Sequence, residues 1–219
     1  MIKLEHATKF VRMKGITKPI INDVSFVIPR GKSVGLLGRN GAGKSTLLQI
    51  IAGTLELDKG RVIRRGKISW PLGFAGSFQG NLSGEQNVRF VARIYGVDTE
   101  ELVAYVAEFA ELGAFYRAPV RTYSSGMKAR LAFGVSMGVN FDYYLVDEIT
   151  AVGDTNFKRK SQQVFKERLA GSDVIMVSHS PATLRAYCQT GIVLEDGKLT
   201  YYDNLEDAIV VHERNMTKQ

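Results

Sequence analysis

The apolar positions in the first third of the chain fall in short runs, Ile2 to Val11, Ile20 to Ile28, Lys32 to Leu37 and Arg61 to Trp70, with Gly and Pro between them. Runs of that length and punctuation predict strands. From about Ser83 to Gly138 the period becomes helical. Glu85 to Tyr95 and Glu100 to Leu112 read as amphipathic helices, and a third is expected to start near Ser124, with Met127, Leu131 and Val135 on one face. Strand and helix patterns then alternate. Phe141 to Val146 and Val174 to Val177 read as strands, Lys158 to Leu169 and Ala182 to Tyr187 as helices, and Ile192 to Tyr202 as a hairpin turning at Asp196-Gly197. A last helix covers Asn204 to Arg214. The pattern predicts one α/β domain over residues 1–219, with a helical subdomain inserted at about 83–138. Its sheet should be mainly parallel, with ligands beyond the carboxyl ends of the strands.

One segment gives that architecture a chemistry. Gly38-Arg39-Asn40-Gly41-Ala42-Gly43-Lys44-Ser45-Thr46 follows a strand and opens a helix that should end at Gly53, and its spacing is G-x-x-x-x-G-K-[ST]. Its glycines permit backbone angles closed to other residues and leave no side chain between the amides and an anion. Lys44 is placed to bring its ammonium to the β- and γ-phosphates, Ser45 to offer a hydroxyl to Mg²⁺, and the helix N-terminus to add free N–H groups. A triphosphate with magnesium is the implied ligand.

The charge of +7 and the pI of about 9.5 suit an anionic partner without choosing among nucleotide, nucleic acid and membrane surface. Arg61, Arg64, Arg65 and Lys67 form the densest basic cluster and read as a solvated face. The N-terminus lacks the apolar block of a signal peptide, and no apolar run approaches the ~20 residues that span a bilayer, so a soluble, cytoplasmic chain is expected. Cys188, the single cysteine, reads as an inert packed residue, and with the scattered His6, His179 and His212 it has no zinc-ligand spacing.

Three further segments fit a hydrolytic site. Phe141 to Glu148 is a strand that delivers adjacent carboxylates at its end; Asp147 is assigned to the metal and Glu148 to the attacking water. Tyr123-Ser124-Ser125-Gly126-Met127-Lys128 opens the third inserted helix, where Ser124 can cap it or face a ligand. Lys128 and Arg130 near its first turn oppose the helix dipole unless an anion binds there. The strand Val174 to Val177 leads into His179, expected on the same side as Lys44 and Glu148 and within reach of the γ-phosphate or the water.

The order of these motifs along nearly the whole chain resembles the nucleotide-binding subunit of ATP-binding cassette (ABC) transporters. In that family's terms Gly38 to Thr46 is Walker A, Tyr123 to Met127 the signature, Leu145 to Glu148 the end of Walker B, Ala151-Val152-Gly153-Asp154 the D-loop and His179 the switch histidine. The resemblance implies a P-loop NTPase (RecA-like) core with an N-terminal antiparallel β subdomain and an inserted α-helical subdomain. It also implies a head-to-tail homodimer with ATP and Mg²⁺ in the interface, in which Ser124 and Gly126 contact the partner's γ-phosphate.

Departures occur at three places. Tyr-Ser-Ser-Gly-Met replaces Leu-Ser-Gly-Gly-Gln, the adenine-stacking aromatic aligns with Val11 and leaves Phe10 as a displaced candidate, and Gln79, the Q-loop candidate and possible Mg²⁺ ligand, lies closer than usual to the helical insertion. Ile68 to Gly73, Gly76 to Gly80, Thr122 to Met127 and Phe141 to Glu148 look like the ATPase of capsular-polysaccharide exporters of Gram-negative bacteria, and the chain's stop soon after its last helix favours the capsule type over the O-antigen type. The implied role is ATP hydrolysis at the cytoplasmic face of the inner membrane, held peripherally on an integral-membrane permease. Trp70 to Arg93 is the expected docking region, with Phe74, Phe78 and Leu82 read equally as making that contact or as packing in the core. A nucleic-acid-handling ATPase is the alternative, weakened by the lack of long coiled coils or a second cassette; no nucleic-acid partner is expected.

Overall fold

The computed structural model describes residues 1–13, 16–72, 78–148 and 155–217. They form two compact units, one of Met1–Pro71, Asp142–Glu148 and Ser172–Gln219, the other of Leu72–Phe141 and Ile149–Gly171.

In the first unit β1 (Ile2–Met13) pairs antiparallel with β2 (Ile16–Ile28) and with β4 (Lys59–Arg64) in a sheet of order β2-β1-β4. The larger sheet contains β3 (Val34–Leu37), β5 (Ile68–Leu72), β6 (Tyr143–Asp147), β7 (Asp173–Val177), β8 (Thr190–Glu195) and β9 (Lys198–Tyr202), in the order β5-β6-β7-β3-β8-β9. Its central pairs β6·β7, β7·β3 and β3·β8 are parallel. Strands covered on both faces need continuous apolar runs. Accordingly Val34, Leu36, Tyr144, Leu145, Ile175 and Ile192 are all buried. The β8–β9 hairpin closes through Asp196 and Gly197, both at positive φ, as a two-residue turn requires.

Helix α1 (Lys44–Ala52) follows β3 and buries Leu47, Leu48, Ile50 and Ile51 in one apolar cluster with Ile2, Leu4 and Ile21 of the antiparallel sheet and Leu145, Ile175 and Leu194 of the parallel one. Helices α6 (Pro181–Tyr187) and α7 (Leu205–Thr217) complete this unit. A Cβ on Gly191 of β8 would stand 2.3 Å from the Ala208 Cβ of α7, so glycine is what permits that close packing.

The apolar run from Arg61 to Trp70 is not one strand. Gly66, at φ 108°, separates β4 from β5, and the two enter different sheets. The Asp142 carboxylate accepts the Lys67 N–H at 2.7 Å at this break, where a Cβ on Gly66 would collide with the same oxygen.

The second unit is helical: α2 (Gly84–Tyr95), α3 (Thr99–Ala110), two short 3₁₀ turns at Gly113–Arg117 and Val120–Thr122, α4 (Ser125–Gly138) and α5 (Thr155–Leu169). Ser83 and Gln86 form a reciprocal capping box at the start of α2, and the Asp98 carboxylate caps α3. Although α5 follows a core strand in sequence, it groups with the helices because Phe157 and Phe165 join Phe109 and Phe133 in an aromatic cluster.

Candidate active site

The glycine loop is held by its own lysine. Lys44 Nζ donates to the carbonyls of Gly38 at 2.7 Å and Arg39 at 3.0 Å, and the Ala42 N–H closes the turn on Arg39 O at 3.0 Å. A Cβ on Gly38 would lie 2.5 Å from Leu194 O, and Gly43 begins α1 at φ 106°, so other residues would strain the loop at either position. No side chain caps the helix at Gly43 among the described residues, which leaves its first-turn amides for another acceptor. Burial lowers the ammonium pKa of Lys44, while the charges of Asp147 and Glu148 push it back up. Arg39, Ala42 and Thr46 are partly buried, and Asn40, Gly41 and Ser45 are exposed around the loop's rim.

The carboxylates stand at the end of β6. Asp147 is its last residue and is partly buried; Glu148 follows in the left-handed region at φ 51°, with its N–H donating to Val177 O at 3.0 Å. That conformation disfavours a side-chain-bearing residue by about 1 kcal/mol or more. His179 leaves the neighbouring strand β7, and its Nε2 meets Glu148 Oε1 at 2.7 Å. The contact is solvent-accessible, with the His179 side chain 62% and the Glu148 side chain 49% exposed.

Among the described residues no three His, Cys, Asp or Glu side chains form a metal cage. One carboxylate (Asp147) and one hydroxyl (Ser45) suit a hard cation that keeps water ligands and shares phosphate oxygens. Phe10, partly buried on β1, has its N–H held by the Asp58 carboxylate at 2.6 Å.

The second unit carries the remaining candidates. The Ser124 hydroxyl caps α4, accepting the Met127 N–H at 3.2 Å, and Gly126 is surrounded by open space apart from that hydroxyl. Arg130 is compensated within its own unit: its guanidinium lies 4.5 Å from the Phe157 ring centroid and 3.7 Å from the Glu111 carboxylate. Leu131 and Val135 are buried along α4, with Met127 partly so. Gln79 is exposed, and Phe78 and Leu82 are partly buried. Phe74 and the segment Ala151 to Asp154 lie outside the described residues.

Three residues to which pattern alone gave no role at the site bear on this framework. Arg64 is not merely solvated: its guanidinium donates to Ile50 O and Ile51 O, capping the C-terminus of α1, where the helix has no basic residue of its own. His212 of α7 has its pKa lowered by burial and then by the positive charge of Lys44. Asn87, a polar residue in the apolar stripe of α2, is buried, and its place within that stripe is the signal that could have found it. Cys188 is buried as expected, and burial pushes its thiol up to about 12.

A phosphate-cradling loop, strand-end carboxylates and a histidine set at the carboxyl ends of a parallel sheet define a P-loop nucleotide hydrolase. The chain belongs to the ABC transporter family, as an ATP-hydrolysing subunit: the family's "ABC transporter" model matches residues 21–151. It is 50% identical over 212 residues to the polysialic acid transport ATP-binding protein KpsT of Escherichia coli, covering 95% of each chain. To the capsule polysaccharide export ATP-binding protein CtrD of Neisseria meningitidis serogroup B it is 44% identical, over 95% of this chain and 96% of that one. The fold matches the dimeric ATP-binding cassette MJ0796, solved with ADP and phosphate, at a TM-score of 0.72 and 24% identity, over 94% of this chain and 99% of that chain. Among the described residues no helix is long and apolar enough to cross a membrane.

Proposed function

We propose that this chain powers the export of a capsular polysaccharide across the inner membrane, hydrolysing ATP on the cytoplasmic face while docked on a separate integral-membrane permease. The observation that carries the hydrolytic half is the 2.7 Å contact between His179 and Glu148, whose carboxylate shares the neighbourhood of Lys44 with Asp147. The substrate half rests on relatives of 50% and 44% identity named for polysialic acid transport and capsule polysaccharide export. Those relatives do not favour a nucleic-acid-handling ATPase, the reading that basic charge alone left open.

In this reading Gly38 to Thr46 enclose the phosphates and Lys44 neutralises the β- and γ-phosphoryl oxygens. Ser45 and Asp147 would hold a Mg²⁺ ion, which would supply charge stabilisation on the phosphoryl group and its leaving oxygen, and Gln79 keeps the ligand role implied by the Q-loop match. Glu148 accepts the proton of the water that attacks the γ-phosphorus, and the bond from that phosphorus to the bridging oxygen breaks to give ADP and phosphate. His179 positions Glu148 and the water. Phe10 stacks on the adenine. Asp154 takes the role implied by the D-loop match. Ser124 and Gly126 of a second copy complete each site, so the working unit is a homodimer with ATP between its members. Residues 1–219 act as one cassette, the helices around 83–138 forming its subdomain, and the permease is met around Trp70 to Arg93.

The test is a Lys44→Ala chain. It should lose affinity for ATP by at least about tenfold, and in a strain dependent on it polysaccharide should accumulate inside the cell and vanish from the surface. Normal surface polysaccharide with an inactive Lys44→Ala chain would refute the export role.

A further inference from the structure

Gln79 combines an exposed side chain with a main chain that is fixed by one buried residue. Asn87, 3% exposed on α2, turns its carboxamide back on the segment before the helix. Its Oδ1 accepts the Gln79 N–H at 2.8 Å, while its Nδ2 donates to Gln79 O at 3.1 Å, to Ser83 O at 2.9 Å and, more weakly, to Leu82 O at 3.4 Å. The amide thus pairs with Gln79 in both directions, as a neighbouring strand would, although Gln79 lies in no strand.

The same segment is joined to the approach to the signature helix. The Val120 N–H donates to Leu82 O at 2.9 Å, the Arg121 N–H donates to Gly80 O at 2.9 Å, and Ser83 and Pro119 form an antiparallel bridge. Beyond Arg121, the Tyr123 hydroxyl donates to Phe115 O at 2.6 Å, and Ser124 caps α4. A Cβ on Gly84 would stand 2.5 Å from that hydroxyl, so Gly84 lets the tyrosine pass. One carboxamide therefore braces a short two-stranded clasp with Gln79 at one end and the signature serine three residues beyond the other.

We infer that Asn87 is a positioning residue for ATP hydrolysis: it holds the main chain of Gln79 and ties its placement to that of Ser124. The inference rests on the reading of Gln79 given above. Leucine or alanine at this place would preserve the apolar stripe of α2 but leave the Gln79 N–H and carbonyl, part-buried where they meet α2, without their side-chain partner. A fully satisfied buried amide specifies one geometry. The clasp then moves as a unit, so a displacement of Gln79 reaches Ser124 without a contact between them.

The test compares Gln79→Ala, Asn87→Ala and the double variant, with rates normalised to chains that bind ATP. Asn87→Ala should lower kcat about tenfold or more, in the range of a misplaced catalytic group, with ATP affinity within about twofold of the parent. On the Gln79→Ala background the same substitution should add less than about twofold, since both act through one side chain. Multiplicative losses would overturn the inference and leave Asn87 a purely structural residue, as would wild-type turnover by Asn87→Ala where Gln79→Ala is impaired. Wild-type turnover by Gln79→Ala would instead overturn the reading of Gln79 and the inference with it. Should Asn87→Ala fail to fold, amide hydrogen exchange on the unmutated chain decides: Gln79, Val120 and Arg121 should exchange together, within about threefold of one another as a single opening unit. Independent exchange of the three would overturn the clasp.

Discussion

His179 Nε2 lies 2.7 Å from Glu148 Oε1, each just past the end of one of two neighbouring parallel strands. The parallel register brings this contact about: Asp147 pairs with Val177, so residues one and two places beyond face the same opening. Glu148 enters the left-handed region to reach it, a cost the strand end must offset. Substituting His179→Ala should lower kcat about 10- to 100-fold while ATP affinity stays within about threefold, the pattern of a lost positioning contact. Steady-state rates beside equilibrium nucleotide titration check it.

Arg64 serves the glycine loop from behind. Its guanidinium closes the carbonyl end of α1, the helix whose amino end opens on the loop, and burial lowers its pKa. Arg64→Met should reduce unfolding stability by about 1 kcal/mol, after allowing for partial solvent screening. Arg61→Met, which removes a pair with Glu5 in which the Arg61 side chain is 73% exposed, should lower the urea midpoint less than Arg64→Met does. Urea unfolding of both variants separates the two roles.

The pH response follows from His212. Its pKa is lowered by burial and by Lys44 and His179, against the opposing charges of Glu195 and Glu213. With the folded-state value below the unfolded value of about 6.5, the unfolded chain binds more protons in the interval between them. Stability is therefore full above about pH 6.5 and falls as pH drops towards the folded-state value. Glu5, Glu100 and Glu206 have lowered pKa values through their ion pairs, so their contribution is lost further down, as pH falls below about 4.5. Between about pH 7 and 5.5, His212→Gln should show a smaller loss of urea midpoint than the parent chain.

Much of this was legible in sequence because its signals are local. The glycine loop, the α1 stop at Gly53, the cap at Ser124 and the Asp196-Gly197 hairpin each depend on residues within a few places of one another. The strands that lead into Glu148 and His179 are readable as apolar runs, and each residue follows its strand end in the structure. What stayed hidden depends on segments distant in the chain. Arg61 to Trp70 looks continuous until Gly66 meets the Asp142 carboxylate. Arg64 reads as solvated charge until α1 offers its carbonyls, and the grouping of α5 with the helices follows from phenylalanines on three separate helices. Asn87 is marked in sequence by its place in the apolar stripe of α2, but its two-way pairing with Gln79 depends on the chain folding back before the helix.

In the proposed working unit two copies share each ATP site, a state that can be trapped by blocking hydrolysis. Glu148→Gln removes the proposed base but keeps the shape, so hydrolysis should fall by at least about 100-fold while ATP still binds. Light scattering of this variant with Mg²⁺ and ATP should give a mass of twice the 24.2 kDa chain, returning to one chain when ATP is replaced by ADP. A variant that binds ATP, fails to hydrolyse it and remains at the mass of one chain, even with its permease supplied, would contradict the account.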